Sequence, residues 1–236
     1  MFKKSLFVLT IAALSAIGLS AKEGKDAVHK PATEGAEPGK WTQDYDAAIK
    51  MAAEKGLPLM LNFTGSDWCG WCKIMDKNVF ADEKDWGPYA KENLMLVTLD
   101  FPKDKSIVPE KWVHRNEKLK DKFGVRGFPT YVVLDSNGES KLGQLGASRE
   151  ATPKSFVQQA KGVLRFSKSA IAAFTAKLSE EKASEYKDLL SAHKKSKKAL
   201  ADWLETRPKR NDENMAKFKK FNEDIASSMA KIESFK

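Results

Sequence analysis

The sequence predicts an α/β domain followed by an α-helical extension, and three patterns carry that prediction. Short apolar runs alternate with stripes at helical spacing between Trp41 and Leu164. The β-branched run Thr130–Leu134 leads through Ser136-Asn137-Gly138-Glu139 into a second apolar run, the pattern of a hairpin. Beyond Leu164 only helical stripes remain.

Met1-Phe2-Lys3-Lys4 is a short positive leader, Leu6 to Leu19 is apolar apart from Thr10, Ser15 and Gly18, and Ser20-Ala21 offers small residues to a peptidase. Residues 1–21 therefore read as a secretory signal, whose 14-residue apolar stretch is too short for the roughly 20 residues that span a bilayer. Residues 22–40 have no apolar period and carry Lys, Glu, Gly and Pro, the composition of a solvated tether.

From Trp41 the pattern becomes periodic. Tyr45, Ala48, Ile49, Ala52 and Ala53 form a helical stripe ended by Gly56, and Leu57 to Phe63 is a short buried strand. Thr64-Gly65-Ser66-Asp67 is a loop with capping residues, and Trp68, Ile74, Met75 and Phe80 continue as a helix. A short helix over Trp86–Glu92, a strand over Leu94–Leu99, an irregular excursion from Phe101 to Val113 and a helix to about Phe123 follow. The hairpin comes next, with Leu142–Leu145 as its return strand, and a helix over Pro153–Leu164 closes the domain. In the last third, two stripes are broken at Arg207–Asp212, which predicts an antiparallel helical hairpin over residues 165–236.

Composition narrows the function classes. At 42% apolar and 31% charged, the 236 residues can bury a core, which excludes disordered, collagen-like and membrane-spanning architectures. The net charge of +9 is uneven: residues 41–163 hold 18 basic and 17 acidic side chains, whereas residues 164–236 hold 17 and 11. The densest basic run, Lys194-Lys195-Ser196-Lys197-Lys198, reads first as a solvated helix face and second as a site for anionic lipid or polymer. No Gly-rich phosphate loop or interleaved aromatic pattern supports nucleic acid as a partner.

Both cysteines lie in the near-neutral middle, at Cys69 and Cys72, so they cannot staple a fold but do form a C-x-x-C site. A zinc site would need a second pair, and His29, His114 and His193 are remote in sequence, with His114 and His193 expected on helix surfaces. Haem attachment would need His where Lys73 stands. No metal and no bound cofactor are expected. A cysteine at a helix N-terminus is acidified by unpaired amides and the helix dipole, which makes Cys69 the attacking thiol and Cys72, one turn in, the resolving one. Asp67 opposes that ionisation, and its expected role is structural.

Two segments together resemble the thioredoxin superfamily: Trp68-Cys69-Gly70-Trp71-Cys72-Lys73 between a strand and a helix, and Gly124-Val125-Arg126-Gly127-Phe128-Pro129-Thr130 before the hairpin. The resemblance covers residues 41–164, and Asn62 to Trp68 is most similar to exported bacterial thioredoxin-like proteins and to the soluble domain of thiol:disulfide interchange reductases. It implies a central mixed sheet flanked by helices, a cis bond at Phe128–Pro129 and substrate backbone bound beside Phe128 and Pro129. Trp68 and Trp71, which flank the reactive sulfur, are expected to contact substrate, with filling of the surface around the helix start as the alternative. Two departures matter. Asn62 stands where thioredoxins commonly carry a buried Asp, and an amide is no base. Gly70-Trp71 lacks the His of strongly oxidising members, which favours a reductase over an oxidase.

The resemblance thus implies a periplasmic or otherwise exported protein-disulfide oxidoreductase. Its partners would be disulfide-containing exported proteins and a protein electron donor or acceptor. Membrane contact is expected only if the signal segment stays attached, and the C-terminal helices offer a route to a homo-oligomer. The alternative is a thioredoxin-fold scaffold or redox sensor that acts through its helical extension.

Overall fold

The computed structural model describes residues 30–236, so the signal segment and the first part of the tether lie outside the described residues. A five-stranded mixed sheet runs in the order β1-β3-β2-β4-β5. Its strands are β1 (Trp41–Thr42), β2 (Leu59–Thr64), β3 (Met95–Asp100), β4 (Thr130–Leu134) and β5 (Lys141–Gly146). β1 and β2 lie parallel to β3, and β4 is antiparallel to both β2 and β5. This is a thioredoxin-like fold with an α-helical C-terminal extension.

The helices of the domain are α1 (Tyr45–Lys55), α2 (Gly70–Met75), α3 (Trp86–Asn93), α4 (Glu110–Lys122) and α5 (Pro153–Leu164), and a π-helical stretch over Asp76–Phe80 continues α2. Strand alternation decides which side each residue serves. Leu59, Leu61 and Phe63 face α1 and α4, packing with Ala48, Ala52 and Leu119. Met60 faces the other way, with Leu96, Tyr131 and Val133, onto Met75, Val79, Phe80 and Phe156. Asn62, Thr64 and Thr98 belong to that second face by the same alternation, and this places polar side chains beneath the helix that carries the cysteines.

The folded part begins before Trp41. Residues 30–40, expected to belong to the tether, are bound to the sheet: Ala32 bridges Thr42, Pro38 bridges Met95, and Gly39 donates to the Leu94 carbonyl at 2.9 Å. Gly39 sits at φ +73, and a Cβ there would lie 2.5 Å from the Lys91 backbone. The attachment runs through backbone hydrogen bonds, which leave no apolar period to read.

The extension contains α6 (Lys168–Thr175), α7 (Glu180–Glu205) and α8 (Asp212–Ser234). α6 was not separated from its neighbours in the sequence; Ser167 caps it by accepting the Ala170 N–H at 3.2 Å. α7 and α8 pack on each other, and Tyr186, Leu190 and Ile232 bury with Phe166, Ile171 and Phe174 at the base of the pair. His193, expected on the surface, is buried there: its ring stacks on Phe166 at 5.3 Å and Nδ1 lies 2.8 Å from the Ser228 hydroxyl.

Candidate active site

Cys69 is the N-cap of α2, with extended backbone at φ −80 and ψ 101, and its sulfur accepts the Cys72 N–H at 3.2 Å. The position follows from the loop before it: the Gly65 carbonyl accepts the amides of Trp68 and Cys69, at 3.1 and 2.7 Å, turning the chain off β2 into the helix. Cys69 and Cys72 are joined as a disulfide with Cα atoms 5.2 Å apart. Cys69 is 6% exposed and Cys72 1%, so a partner sulfur reaches Cys69 first.

Around the disulfide, Trp68, Trp71 and Ile74 are exposed, an apolar rim suited to a flexible polypeptide. Trp68 is fixed rather than loose. Its indole Nε1 donates to the Phe101 carbonyl at 2.8 Å, its ring meets Phe128 edge-on at 5.8 Å, and Phe128 stacks on Phe101 at 5.2 Å. Gly65 is required by this packing, because a Cβ there would sit 2.4 Å from the Trp68 ring. Through these contacts the proline loop, the excursion and the residue before Cys69 meet in one aromatic surface, and the Phe128–Pro129 bond in that loop is cis.

Asp67 does not cap α2. Its carboxylate accepts the amides of Lys103 and Asp104, at 2.9 Å each for the shorter contacts, and pins the Phe101–Ile107 segment against the motif. The Asp104 amide above all, with that of Lys103, holds the Asp67 carboxyl below its usual range.

A cavity of about 290 Å³ opens beside Asp76, and its polar lining includes Lys30, Asn62, Thr64, Ser66, Asp76, Thr98 and Asp100. Asn62 Oδ1 and Thr64 Oγ1 are buried in it without a protein hydrogen-bond partner. Asp100 accepts both the amide and the hydroxyl of Ser66, yet burial pushes its carboxyl up. Asp76 is pushed up to about 6, first by burial and then by the Asp100 charge. It follows Cys72 by one turn on the same helix face, a spacing that puts Cβ atoms roughly 5–6 Å apart, and its N–H bonds back to the Cys72 carbonyl.

Residues 45–161 match the family model described as a thioredoxin-like domain. This part of the chain is a thioredoxin-like domain. It is 34% identical over 104 residues to "Disulfide bond reductase DsbH" of Chlamydia pneumoniae, covering 44% of this chain and 61% of that protein. It is also 29% identical over 107 residues to "Thioredoxin-related protein DsbJ" of the same organism, covering 45% of this chain and 30% of that protein. The matches thus span less than two thirds of both relatives. A solved structure titled "DsbH Oxidoreductase" superposes with a TM-score of 0.49 at 29% identity, covering 57% of this chain and 92% of that one.

Of the residues singled out in the sequence, Cys69 and Cys72 form the disulfide, Trp68 and Trp71 flank it in the chain and are exposed, and Phe128, which precedes the cis Pro129, packs on Trp68. Sequence reasoning missed Phe101, Ile74, Asp76 and Arg149, whose guanidinium lies 5.2 Å from the Trp71 ring centre. For Asp76 a signal existed, an acid four residues after Cys72 in an otherwise apolar stripe. Phe101 and Arg149 reach the site only through the folding of distant loops. Among the described residues no group of three His, Cys, Asp or Glu side chains is placed to hold a metal ion.

Proposed function

We propose that the protein is an exported thiol:disulfide oxidoreductase that reduces disulfides in other exported proteins through Cys69 and Cys72. The observation that carries this reading is the disulfide at the N-cap of α2, sealed on its inner side and rimmed by exposed indoles. The similarity to a disulfide bond reductase and the absence of a His between the cysteines support reduction over oxidation. The leader-like residues 1–21 support export.

In the reduced protein the Cys69 thiolate is stabilised by the open amides of the helix start. It attacks one sulfur of the substrate disulfide, forming a mixed disulfide and releasing the other substrate sulfur as a thiolate that takes a proton from water. Phe128 and Pro129 bind the substrate backbone as an added extended segment, and Trp68 and Trp71 cover its apolar side chains. Cys72 then gives its proton to Asp76, and its thiolate attacks the Cys69 sulfur. The mixed disulfide breaks, the second substrate sulfur leaves as a thiolate that takes a proton from water, Asp76 returns its proton to solvent, and the electron pair lost by the two cysteines resides in the reduced substrate. A protein electron donor restores the dithiol.

Asp76 fills the role that Asn62 cannot. The carboxyl lies on the helix rather than on the strand, and it shares the cavity with the unpartnered Asn62 and Thr64 oxygens, where water can carry the proton onward.

Turnover of insulin or a chromogenic disulfide tests the proposal. Cys69→Ser is expected to abolish it, and Cys72→Ser to accumulate mixed disulfides on non-reducing gels. Full turnover by Cys69→Ser, or no trapped species in Cys72→Ser with Cys69 shown to alkylate, overturns it and leaves the helical extension as the acting part.

A further inference from the structure

The distal half of the α7/α8 hairpin does not bury its apolar side chains. Between Lys194 and Lys231 no residue is buried, yet the segment carries Trp203, Leu204, Met215, Phe218 and Phe221. Leu204 is 47% exposed, Met215 48% and Phe218 38%. The two helices cover part of this surface themselves, with Trp203 against Phe221 at 5.6 Å and against Phe218 at 6.4 Å. The rest faces outward.

Charge is distributed along the hairpin with the opposite logic to that of its base. Residues 194–220, the distal part, hold ten basic and four acidic side chains. Residues 180–193 hold two basic and four acidic, and residues 221–236 two and three. The turn at the far end is Arg207-Pro208-Lys209-Arg210, and Arg207 sits at φ +50, the left-handed region that favours glycine. Arg207 follows the C-cap Thr206 and ends α7 in the left-handed conformation common just after a helix, with its N–H on the Leu204 carbonyl at 3.0 Å, and its side chain adds a cation to the turn.

We propose that this tip docks on the surface of an anionic lipid bilayer, with Leu204, Met215 and Phe218 entering the headgroup layer and the cations around them pairing with lipid phosphates. Three features select that occupant. A second copy would set one cationic tip against another, so like-charge repulsion opposes self-association through this face. The end of a two-helix hairpin is convex and offers no groove for a folded partner, whereas a deformable interface accepts isolated apolar side chains flanked by long Lys and Arg stems. The tip is also not a span: among the described residues no helix is long and apolar enough to cross a membrane. The proposal is independent of the disulfide chemistry, because the cysteines lie in the domain and the tip belongs to the far end of the extension.

Flotation of the full chain with vesicles tests it. Vesicles of phosphatidylglycerol and phosphatidylcholine in equal parts are compared with pure phosphatidylcholine, at about 0.05 and 0.5 M salt. The leader, with Lys3 and Lys4 ahead of the apolar Leu6–Leu19 segment, can bind vesicles by itself, so the readout is the part of the anionic excess that the tip variants remove. The expected result is at least tenfold stronger binding to the anionic vesicles. Most of that excess should be lost at high salt, in Arg207→Glu/Lys209→Glu/Arg210→Glu and in Leu204→Ser/Met215→Ser/Phe218→Ser. Arg207→Gly separates strain from function: it should weaken anionic binding while leaving the thermal transition equal or higher. Equal binding to both vesicle types, or variants that bind like the wild type, overturns the proposal. So does light scattering that shows a dimer dispersed by the apolar triple variant, which assigns the face to a second copy, as does tip-dependent binding to an acidic protein without binding to vesicles.

Discussion

Replacing Asp76 with Asn should make the protein more stable and a slower enzyme, and both effects can be sized from the site. The carboxyl is pushed up to about 6 from its ordinary value of 3.8. At about 1.4 kcal/mol per unit, holding it ionised in the fold costs at most about 3 kcal/mol. The sign follows from proton binding. Because the folded pKa lies above the unfolded one, the folded state binds more protons between 3.8 and about 6. Stability from this group is therefore full below that window, falls as pH rises through it, and stays low above it. Asn carries no such penalty, so urea melts of the two oxidised proteins should differ little near pH 4 and by about 2–3 kcal/mol in favour of Asp76→Asn near pH 8. Release of the mixed disulfide should move the other way. A thiol with an ordinary pKa of about 8.5 is roughly 3% ionised at pH 7, so losing the acceptor should slow single-turnover release about thirtyfold there. The deficit should shrink toward pH 9 as solvent takes over. A stability difference that is the same at pH 4 and pH 8 would remove Asp76 as a buried acid, and an unchanged release rate would remove it as the acceptor for Cys72.

Three further outcomes are expected. Gly65→Ala should drive the Trp68 ring outward, since the new Cβ would lie 2.4 Å from it; losing the indole bond to Phe101 costs about 1 kcal/mol, visible as a lower urea midpoint and a red-shifted Trp emission. Asp67→Asn should loosen the Phe101–Ile107 segment, read as faster amide exchange at Lys103 and Asp104. Because the Asp67 carboxyl is held below its usual range, the wild type should show the same loosening as acid takes pH down through its folded pKa. His193 is held below its ordinary 6.5 by burial first and by Lys197 second. Its neutral form therefore supports the extension above that value, and support is lost as pH falls below it. His193→Phe should flatten the pH dependence of helix melting between pH 5 and 7, and a pH dependence that survives the substitution would place the titration elsewhere.

Most of the fold of residues 41–164 was legible because β2, β3 and β4 are short, apolar and bounded by turn chemistry, and Thr130–Leu134 was readable to the residue. The disulfide site was legible because its two cysteines and two tryptophans are adjacent in the chain. What stayed hidden depends on contacts that leave no local mark. The two-residue strand Trp41–Thr42 exists only through pairing with β3, and residues 30–40 adhere by backbone hydrogen bonds to a sheet their composition does not announce. Phe101 and Arg149 lie in segments with no period, and His193 reads as one polar residue on a basic helix until Phe166 covers it.

On the role proposed for Asp76, a substitution at position 62 cannot be read alone. An acid on β2 at position 62 would lie between the paired neighbours Thr98 and Tyr131 and face a cavity whose lining holds one cation, Lys30, beside the carboxyls of Asp76 and Asp100. An acid on the helix faces the same cavity from the other wall, with Ser66 already satisfying the neighbouring Asp100. Two carboxyls across one cavity disfavour joint ionisation, so adding a third by Asn62→Asp should raise the Asp76 pKa further and not simply restore a lost base. Such a variant would gain acceptor capacity only above the range in which Asp76 now titrates. Its release rate at neutral pH should fall or stay level, and a rate that rises at pH 7 would mean that the strand position, and not the helix, controls the proton of Cys72.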